Sequence, residues 1–291
     1  MTPHALPAES PCPCCDSRTW THRWDEFVLC RTCGLLAANR RYGLDQMRRL
    51  YGSAYFRGDE YADYLADKPI HRKTLQHHLR RVRRYVPSGG RILEIGCAHG
   101  LFLDLIRGTY PGSVGVDISA EAVAHARRGG LQAIAGDLME IEVPGEFDAV
   151  CLWDTIEHLS RPAEVLAKAR GHLHPGGLLF LTTGDFGAAL ARIRGRHWRQ
   201  IHPPTHMFCF TRRSLLALCG KLHLTPVGFS TEPVYRRLRS SLMTLRRLGG
   251  PSPAGRLAEL ACRLVPDRAL DCGFPLDLGD TVCMVARAAA P

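Results

Sequence analysis

Residues 92–100, Ile-Leu-Glu-Ile-Gly-Cys-Ala-His-Gly, constrain the fold more than any other stretch of the chain. An apolar strand carrying one acid, Glu94, runs straight into a turn of small residues, Gly96, Ala98 and Gly100. One helix further on, Val114-Gly115-Val116-Asp117 reads as a second strand, closed by a carboxylate. Strand, tight turn, helix and strand-terminal acid make a βαβ nucleotide-binding half. The small residues let the backbone approach a ligand, and the second acid accepts from both ribose hydroxyls.

The glycine spacing selects among ligands. A dinucleotide site uses G-x-G-x-x-G, with its last glycines beside a pyrophosphate at the helix N-terminus. Here Gly96-x-Ala98-x-Gly100 lacks a third glycine at that step. Downstream, Leu131–Asp137 reads as a third strand ending in an acid and Phe147–Asp154 as a fourth. Pro175-Gly176-Gly177 is a turn, and Leu178–Thr183 a fifth strand. Glu121–Arg128, Ala163–His172 and Arg213–Leu222 are the clearest helices, with Val227–Thr231 and Thr281–Ala286 as the last two strands.

Taken together, Glu94-x-Gly96-x-Ala98-x-Gly100 resembles motif I, E-x-G-x-G-x-G, of the class I S-adenosylmethionine (SAM) methyltransferases, with Ala98 for the middle glycine. The turn at Pro175–Gly177 resembles the L-x-P-G-G turn of the same family. The resemblance covers roughly residues 85–230. It implies an α/β fold: a Rossmann-like seven-stranded class I methyltransferase sheet with an antiparallel last strand, and SAM as cofactor. Gly96–Gly100, with Glu94 beneath them, would cradle the methionine part. Asp117 would take the ribose hydroxyls and Ile118 would lie against adenine. Asp137 and Leu138 would border the adenine amino group, and Trp153 would close the fourth strand beside it. Asp137 also reads as a helix N-cap.

Twelve cysteines divide into two groups. Cys12, Cys15, Cys30 and Cys33 form C-x2-C…C-x2-C, with turn residues Asp16 and Gly34 following each pair. That spacing places four thiolates tetrahedrally around a structural Zn²⁺ and leaves no coordination position for water. Cys14 is an extra, since a register using it gives a poor C-x-C bite. The seven later cysteines sit singly among apolar neighbours and read as buried thiols. The polar, proline-rich N-terminus lacks a basic-then-apolar signal, and no apolar run approaches the roughly 20 residues of a membrane span. A cytoplasmic location is expected.

The organisation expected is a zinc ribbon over 1–40, with Trp20, Trp24 and Phe27 as a minimal core. A helical and aromatic lid or linker over 41–85 follows, carrying Tyr51, Tyr55, Phe56, Tyr61 and Tyr64. It would cover the cofactor mouth and dock the ribbon. The methyltransferase domain then occupies 86–291, with an insertion from about 233 to 279. In the insertion Leu238, Leu242, Leu245 and Leu248 recur at helical spacing among arginines. This helix either caps the core or meets an anionic membrane surface or lipid-linked substrate. Gly249–Pro253 reads as a linker.

The formal charge of +10 rests on 34 arginines and only four lysines. It fits either a nucleic-acid surface or GC-rich coding.

The reacting groups should gather where the strands end. Asp154-Thr155-Ile156-Glu157-His158 resembles the E-x-x-E-H stretch of ubiquinone-biosynthesis O-methyltransferases, in which acids and His are associated with a divalent metal. His158 therefore reads as a general base, a ligand of a second metal held with Asp154 and Glu157, or a structural residue. Trp198–Phe210 resembles the W-x(3–4)-P-x-E-H-x-x-F loop of bacterial methyltransferases that carry an N-terminal zinc ribbon, with Thr205 for the acid. His206 is its better base candidate. The reading is O-methylation of a small-molecule or lipid- or sugar-linked metabolite. RNA methylation, N- or C-methylation in secondary metabolism, and SAM binding without turnover stay open. No N-P-P-Y-type base-holding motif is present, and intact acids at 94, 117 and 137 argue against a decayed site.

Overall fold

The computed structural model describes residues 4–5, 10–24, 26–51, 67–250 and 252–289. Seven strands form the central sheet: β1 (Ile92–Ile95), β2 (Val114–Asp117), β3 (Ala133–Ala135), β4 (Phe147–Trp153), β5 (Leu173–Gly184), β6 (Leu224–Thr231) and β7 (Thr281–Ala288). Their spatial order is β3-β2-β1-β4-β5-β7-β6. The strands from β1 to β5 pair in parallel, whereas β7 runs antiparallel to both β5 and β6. This is the sheet expected from the sequence.

Alternation within the strands builds the two faces of the core. Leu93, Val150, Leu181 and Met284 enter one apolar cluster, and Ile92, Cys151, Phe180 and Cys283 enter another. Both faces are covered by crossover segments, so the central strands read as continuous hydrophobic runs. The chain leaves β1 toward β2 and β3, then crosses back to β4 on the other side. A crevice opens at the carboxyl ends of β1 and β4, where that reversal occurs.

The ribbon is woven into this body. Trp20–Arg23, Phe27–Cys30 and Leu36–Ala38 form an antiparallel sheet, and Phe208–Cys209, from beyond β5, adds a fourth strand to it. The loop after β5 thus docks the ribbon through this added strand. Trp24 packs edge-on against Phe27 and against Phe186. Leu35 and Leu36, absent from the expected ribbon core, are fully buried, while Trp20 is only half-buried. The segment 41–85 contributes the helices Leu44–Leu50 and Lys68–Val82. Tyr55, Phe56, Tyr61 and Tyr64 lie outside the described residues.

The insertion opens and closes with the antiparallel pair Val234–Arg237 and Gly273–Leu276. Between them, among the described residues, stand the helices Leu238–Gly249, Pro253–Leu264 and Asp267–Leu270. Where a linker is expected after Leu248, the first helix runs on to Gly249, Gly250 stands at φ +49° and the second helix begins at Pro253. Leu238 and Leu242 are half-buried; the side chains of Leu245 and Leu248 lie outside the described residues. Of the seven later cysteines, Cys97, Cys151, Cys209, Cys219 and Cys283 are buried as expected. Cys262 is only half-buried and Cys272 is exposed, because both sit in the insertion rather than the sheet. Among the described residues no helix is long and apolar enough to cross a membrane.

Candidate active site and cysteine cluster

A cavity of about 1010 Å³ lies over the carboxyl ends of β1, β2 and β4. That volume is at the top of the range for ligand sites and has room for a cofactor with an acceptor beside it. Its floor is the loop after β1. Gly96, Ala98 and Gly100 are all left-handed, at φ +79°, +43° and +79°. A Cβ on Gly96 would collide with the Thr155 side chain, so only glycine fits between the loop and β4. Gly100 does not line the cavity. It caps the helix Leu101–Ile106, and a Cβ there would press on Leu131 and Ala126. Its absent side chain permits helix packing rather than ligand approach.

Asp117 organises this floor. Ala98 N–H donates to its Oδ2 at 2.8 Å, and Ser119 N–H donates to Oδ1 at 2.8 Å. Each carboxylate oxygen keeps a lone pair directed outward for a hydroxyl. Glu94 is buried, and its Oε2 has no partner among the described residues. Burial, and then the Asp117 charge, push Glu94 well above the usual carboxylate range. Burial also raises Asp117, against the two backbone N–H groups that lower it. A buried acid, Glu94, beside a half-buried one, Asp117, favours a cationic ligand, and SAM carries a sulfonium and an ammonium. An orphaned carboxylate, a glycine floor and a strand-end acid therefore fit it. Ile118, Asp137, Leu138 and Trp153 also line the cavity. Met139 N–H donates to Asp137 Oδ1, a local turn-capping contact. His78 stacks on Trp153 with ring centroids 4.4 Å apart.

The other end holds the expected proton-handling residues. His158 lies on the short turn after β4, His206 on the loop after β5, and their ring centroids are 4.6 Å apart. His158 Nδ1 is 2.9 Å from Thr205 O, and His206 Nδ1 is 2.8 Å from Gln200 O. Carbonyl oxygens only accept, so both Nδ1 atoms carry the proton and Nε2 is the basic atom of each ring. Burial pushes His158 down to about 4 and His206 well below its usual value. Both rings are therefore neutral at pH 7.

Glu157 completes this group. One ligand atom from each of Glu157, His158 and His206 lies within 4.8 Å of the others. Glu157 is raised to about 8, by burial and then by Asp154, and its Oε2 has no partner among the described residues. Asp154, expected beside Glu157, is instead left-handed at φ +47° and accepts from Thr182 Oγ1 at 2.8 Å. His206 takes the place expected for it. Nothing in the local sequence marks Thr155, His78 and Gln200, whose roles arise only when distant segments meet. In the sequence Tyr51 stands out only as one of an aromatic series, yet its hydroxyl reaches His158.

Cys12, Cys15, Cys30 and Cys33 converge as expected, with their ligand atoms within 4.8 Å of one another. Cys12 and Cys33 Sγ are 3.6 Å apart, as are Cys15 and Cys30 Sγ. Zn–S bonds of about 2.3 Å give a tetrahedral S···S edge of about 3.8 Å, so the four thiols fit that ion. The two knuckles share one backbone pattern. Asp16 N–H donates to Cys12 O and Gly34 N–H to Cys30 O, while Cys12 and Cys30 N–H donate to Ser17 O and Leu35 O. Cys14 is buried beside the cluster but outside it.

A family model described as a methyltransferase domain matches residues 68–227. The chain is similar to the ubiquinone biosynthesis O-methyltransferase of Burkholderia cenocepacia, at 31% identity over 171 residues, covering 53% of this chain and 74% of the relative. Among solved structures, a chain from the complex of the Haloferax volcanii Trm112 methyltransferase activator with a putative methyltransferase superposes with a TM-score of 0.56 at 18% identity, covering 78% of this chain and 92% of that one. A SAM-dependent methyltransferase from Archaeoglobus fulgidus gives 0.51 at 19% identity, covering 77% and 98%. At these identities the structures speak for the fold alone.

Proposed function

This chain belongs to the methyltransferase domain family and is a SAM-dependent methyltransferase; from that premise we propose that it methylates a hydroxyl of a small or lipid-linked metabolite. The observation that carries the proposal is the pair of neutral imidazoles, His158 and His206, at the acceptor end of the cavity with Nδ1 of each held by a carbonyl. A neutral hydroxyl is a poor nucleophile and gains from a base, whereas an amine needs one less. The similarity to a ubiquinone-biosynthesis O-methyltransferase supports the same acceptor class.

When bound, SAM supplies an electrophilic methyl on sulfur. The floor of Gly96 and Ala98 holds the methionine part, and Asp117 takes the ribose hydroxyls. Ile118, Asp137, Leu138 and Trp153 enclose the adenine. His158 or His206 would receive the acceptor proton at Nε2, while the cavity walls would position the acceptor oxygen. Cys12, Cys15, Cys30 and Cys33 hold a structural zinc.

A second reading of the acceptor end rests on the unpartnered Glu157 Oε2. With His158 and His206 it makes a two-His, one-carboxylate set suited to a divalent cation, and the Thr205 and Gln200 carbonyls already orient the two rings through Nδ1–H. Such an ion would lower the pKa of a bound hydroxyl.

Labelled SAM incubated with metabolite extracts tests the function. Label recovered in a small molecule as an ether supports it; label entering RNA, or no turnover with any extract, overturns it.

A further inference from the structure

Three consecutive residues after β5 bind in three directions. Trp198 is 2% exposed, and its Nε1–H donates to Asp280 Oδ2 at 2.7 Å. Arg199 lines the cavity, and its Nη2 donates to Asp280 Oδ1 at 2.9 Å and to Thr281 Oγ1 at 3.1 Å. Gln200 offers its carbonyl to Nδ1–H of His206. The segment is pressed on the end of β5, since a Cβ on Gly184 would lie 2.8 Å from the Trp198 ring and 2.9 Å from the Gln200 side chain. Adjacent backbone thus fixes the Arg199 guanidinium and the His206 imidazole relative to each other.

Asp280 is a buried carboxylate, 1% exposed, with its two oxygens engaged by Trp198 and Arg199. Arg199, by contrast, keeps 34% of its side chain exposed. Of the five guanidinium N–H groups, the two on Nη2 are engaged, whereas those on Nε and Nη1 have no partner among the described residues. Tying the loop to β7 needs Nη2 alone and does not require the rest of a charged, donor-only group to face a cavity. A guanidinium held from behind by a buried acid is preorganised for an acceptor of negative charge in front, and carboxylate or phosphate oxygens match it best.

We infer that Arg199 anchors an anionic group of the acceptor, a carboxylate or a phosphate, and so fixes which hydroxyl faces His206 and His158. The acceptor is then a hydroxy acid or a phosphorylated alcohol, and not a neutral alcohol. That the anion belongs to the methyl acceptor rests on the proposed function; the anion site itself does not.

The test is calorimetry on the full-length protein saturated with S-adenosylhomocysteine and titrated with benzoate, phenyl phosphate or neutral benzamide. With the cofactor site filled, neither anion can take the place of the SAM carboxylate. Wild type should prefer one anion over benzamide by about tenfold or more, and the better anion identifies the group. Arg199→Gln should erase this preference. Arg199→Lys keeps a cation for Asp280 and so protects the fold, but it loses the Nε and Nη1 donors. It should lower the preference by at least about fivefold, with SAM affinity and melting temperature unchanged. No preference for either anion in the wild type, a preference that survives in both variants, or a loss of SAM affinity in Arg199→Lys would each overturn the proposal. A protein that takes up no S-adenosylhomocysteine would refute the cofactor reading by itself, and the same titrations without it would still decide the anion site.

Discussion

The hydroxyl of Tyr51 lies 2.8 Å from Nδ1 of His158, a residue 107 positions away in the chain. The same hydroxyl donates to Thr205 O at 3.2 Å, the carbonyl that also receives Nδ1–H. Tyr51 follows the helix Leu44–Leu50, so the N-terminal arm reaches over the sheet to fix the imidazole's tautomer and tilt. A positioning residue of this kind contributes one hydrogen bond of about 0.5–1.5 kcal/mol. Tyr51→Phe should lower turnover by about 2- to 10-fold at unchanged SAM affinity. If SAM affinity falls in parallel, measured by calorimetry, the hydroxyl supports the cavity as a whole and not His158.

Asp117→Ala removes a carboxylate that both shapes the floor and awaits the ribose. Each charge-assisted hydrogen bond lost costs about 1.5–3 kcal/mol. SAM affinity should drop by more than about tenfold, and Ala98 N–H and Ser119 N–H lose their acceptor. Calorimetry showing wild-type SAM affinity in this variant, or preferential NAD binding by the wild type, would contradict the assignment of the floor.

The pH dependence follows from burial. His158, pushed down to about 4, is neutral when folded and protonates more readily when unfolded, near 6.5. Its contribution to stability is full above about pH 6.5 and is lost as pH falls through about 4. For activity, the base form persists far below the usual histidine range. A rate profile that stays flat from pH 8 to about 5 and declines toward 4 is expected. An acid limb centred near 6.5 would show that the ring is more solvated than its position implies.

Much of this site was legible in single segments, and the part that was not has a common cause. The strand-terminal acids, the small-residue loop and the C-x2-C pairs each carry their geometry within a few residues, so spacing alone located them. Thr155 against Gly96, Tyr51 on His158 and Phe208 on Ala37 are meetings of distant segments, and nothing local announces them. Asp154 shows the opposite error. Its spacing to Glu157 and His158 suggests one group, but its left-handed backbone turns it to Thr182. The insertion misled for a third reason. Gly249–Pro253 has linker composition, yet Gly249 closes one helix and Pro253 opens the next.

Zinc should be found at about one equivalent per chain by elemental analysis of protein purified without chelator. The ribbon is connected to the site by backbone: Ala38 N–H donates to Met207 O, and Met207 N–H donates to Glu157 O. Cys30→Ser or Cys33→Ser should therefore lower the melting temperature and reduce turnover more than SAM affinity. A zinc-free wild type, or a mapped Cys12–Cys33 disulfide, would remove the metal from the account.

His158→Gln and His206→Gln separate the roles at the acceptor end. If one imidazole takes the acceptor proton, its variant keeps SAM affinity and loses roughly 10²–10⁴-fold in turnover, while the other variant loses far less. If Glu157, His158 and His206 hold a cation together, these two variants and Glu157→Gln fall alike, because each removes one of three ligands. The metal reading makes a further demand, since a chelator mild enough to leave the ribbon zinc in place should stop turnover and an added divalent cation should restore it. Chelator-insensitive turnover with one dominant histidine selects the base. Both histidine variants within a few-fold of wild type would exclude base and metal together, leaving in-line positioning over Gly96 and Ala98 to carry the rate.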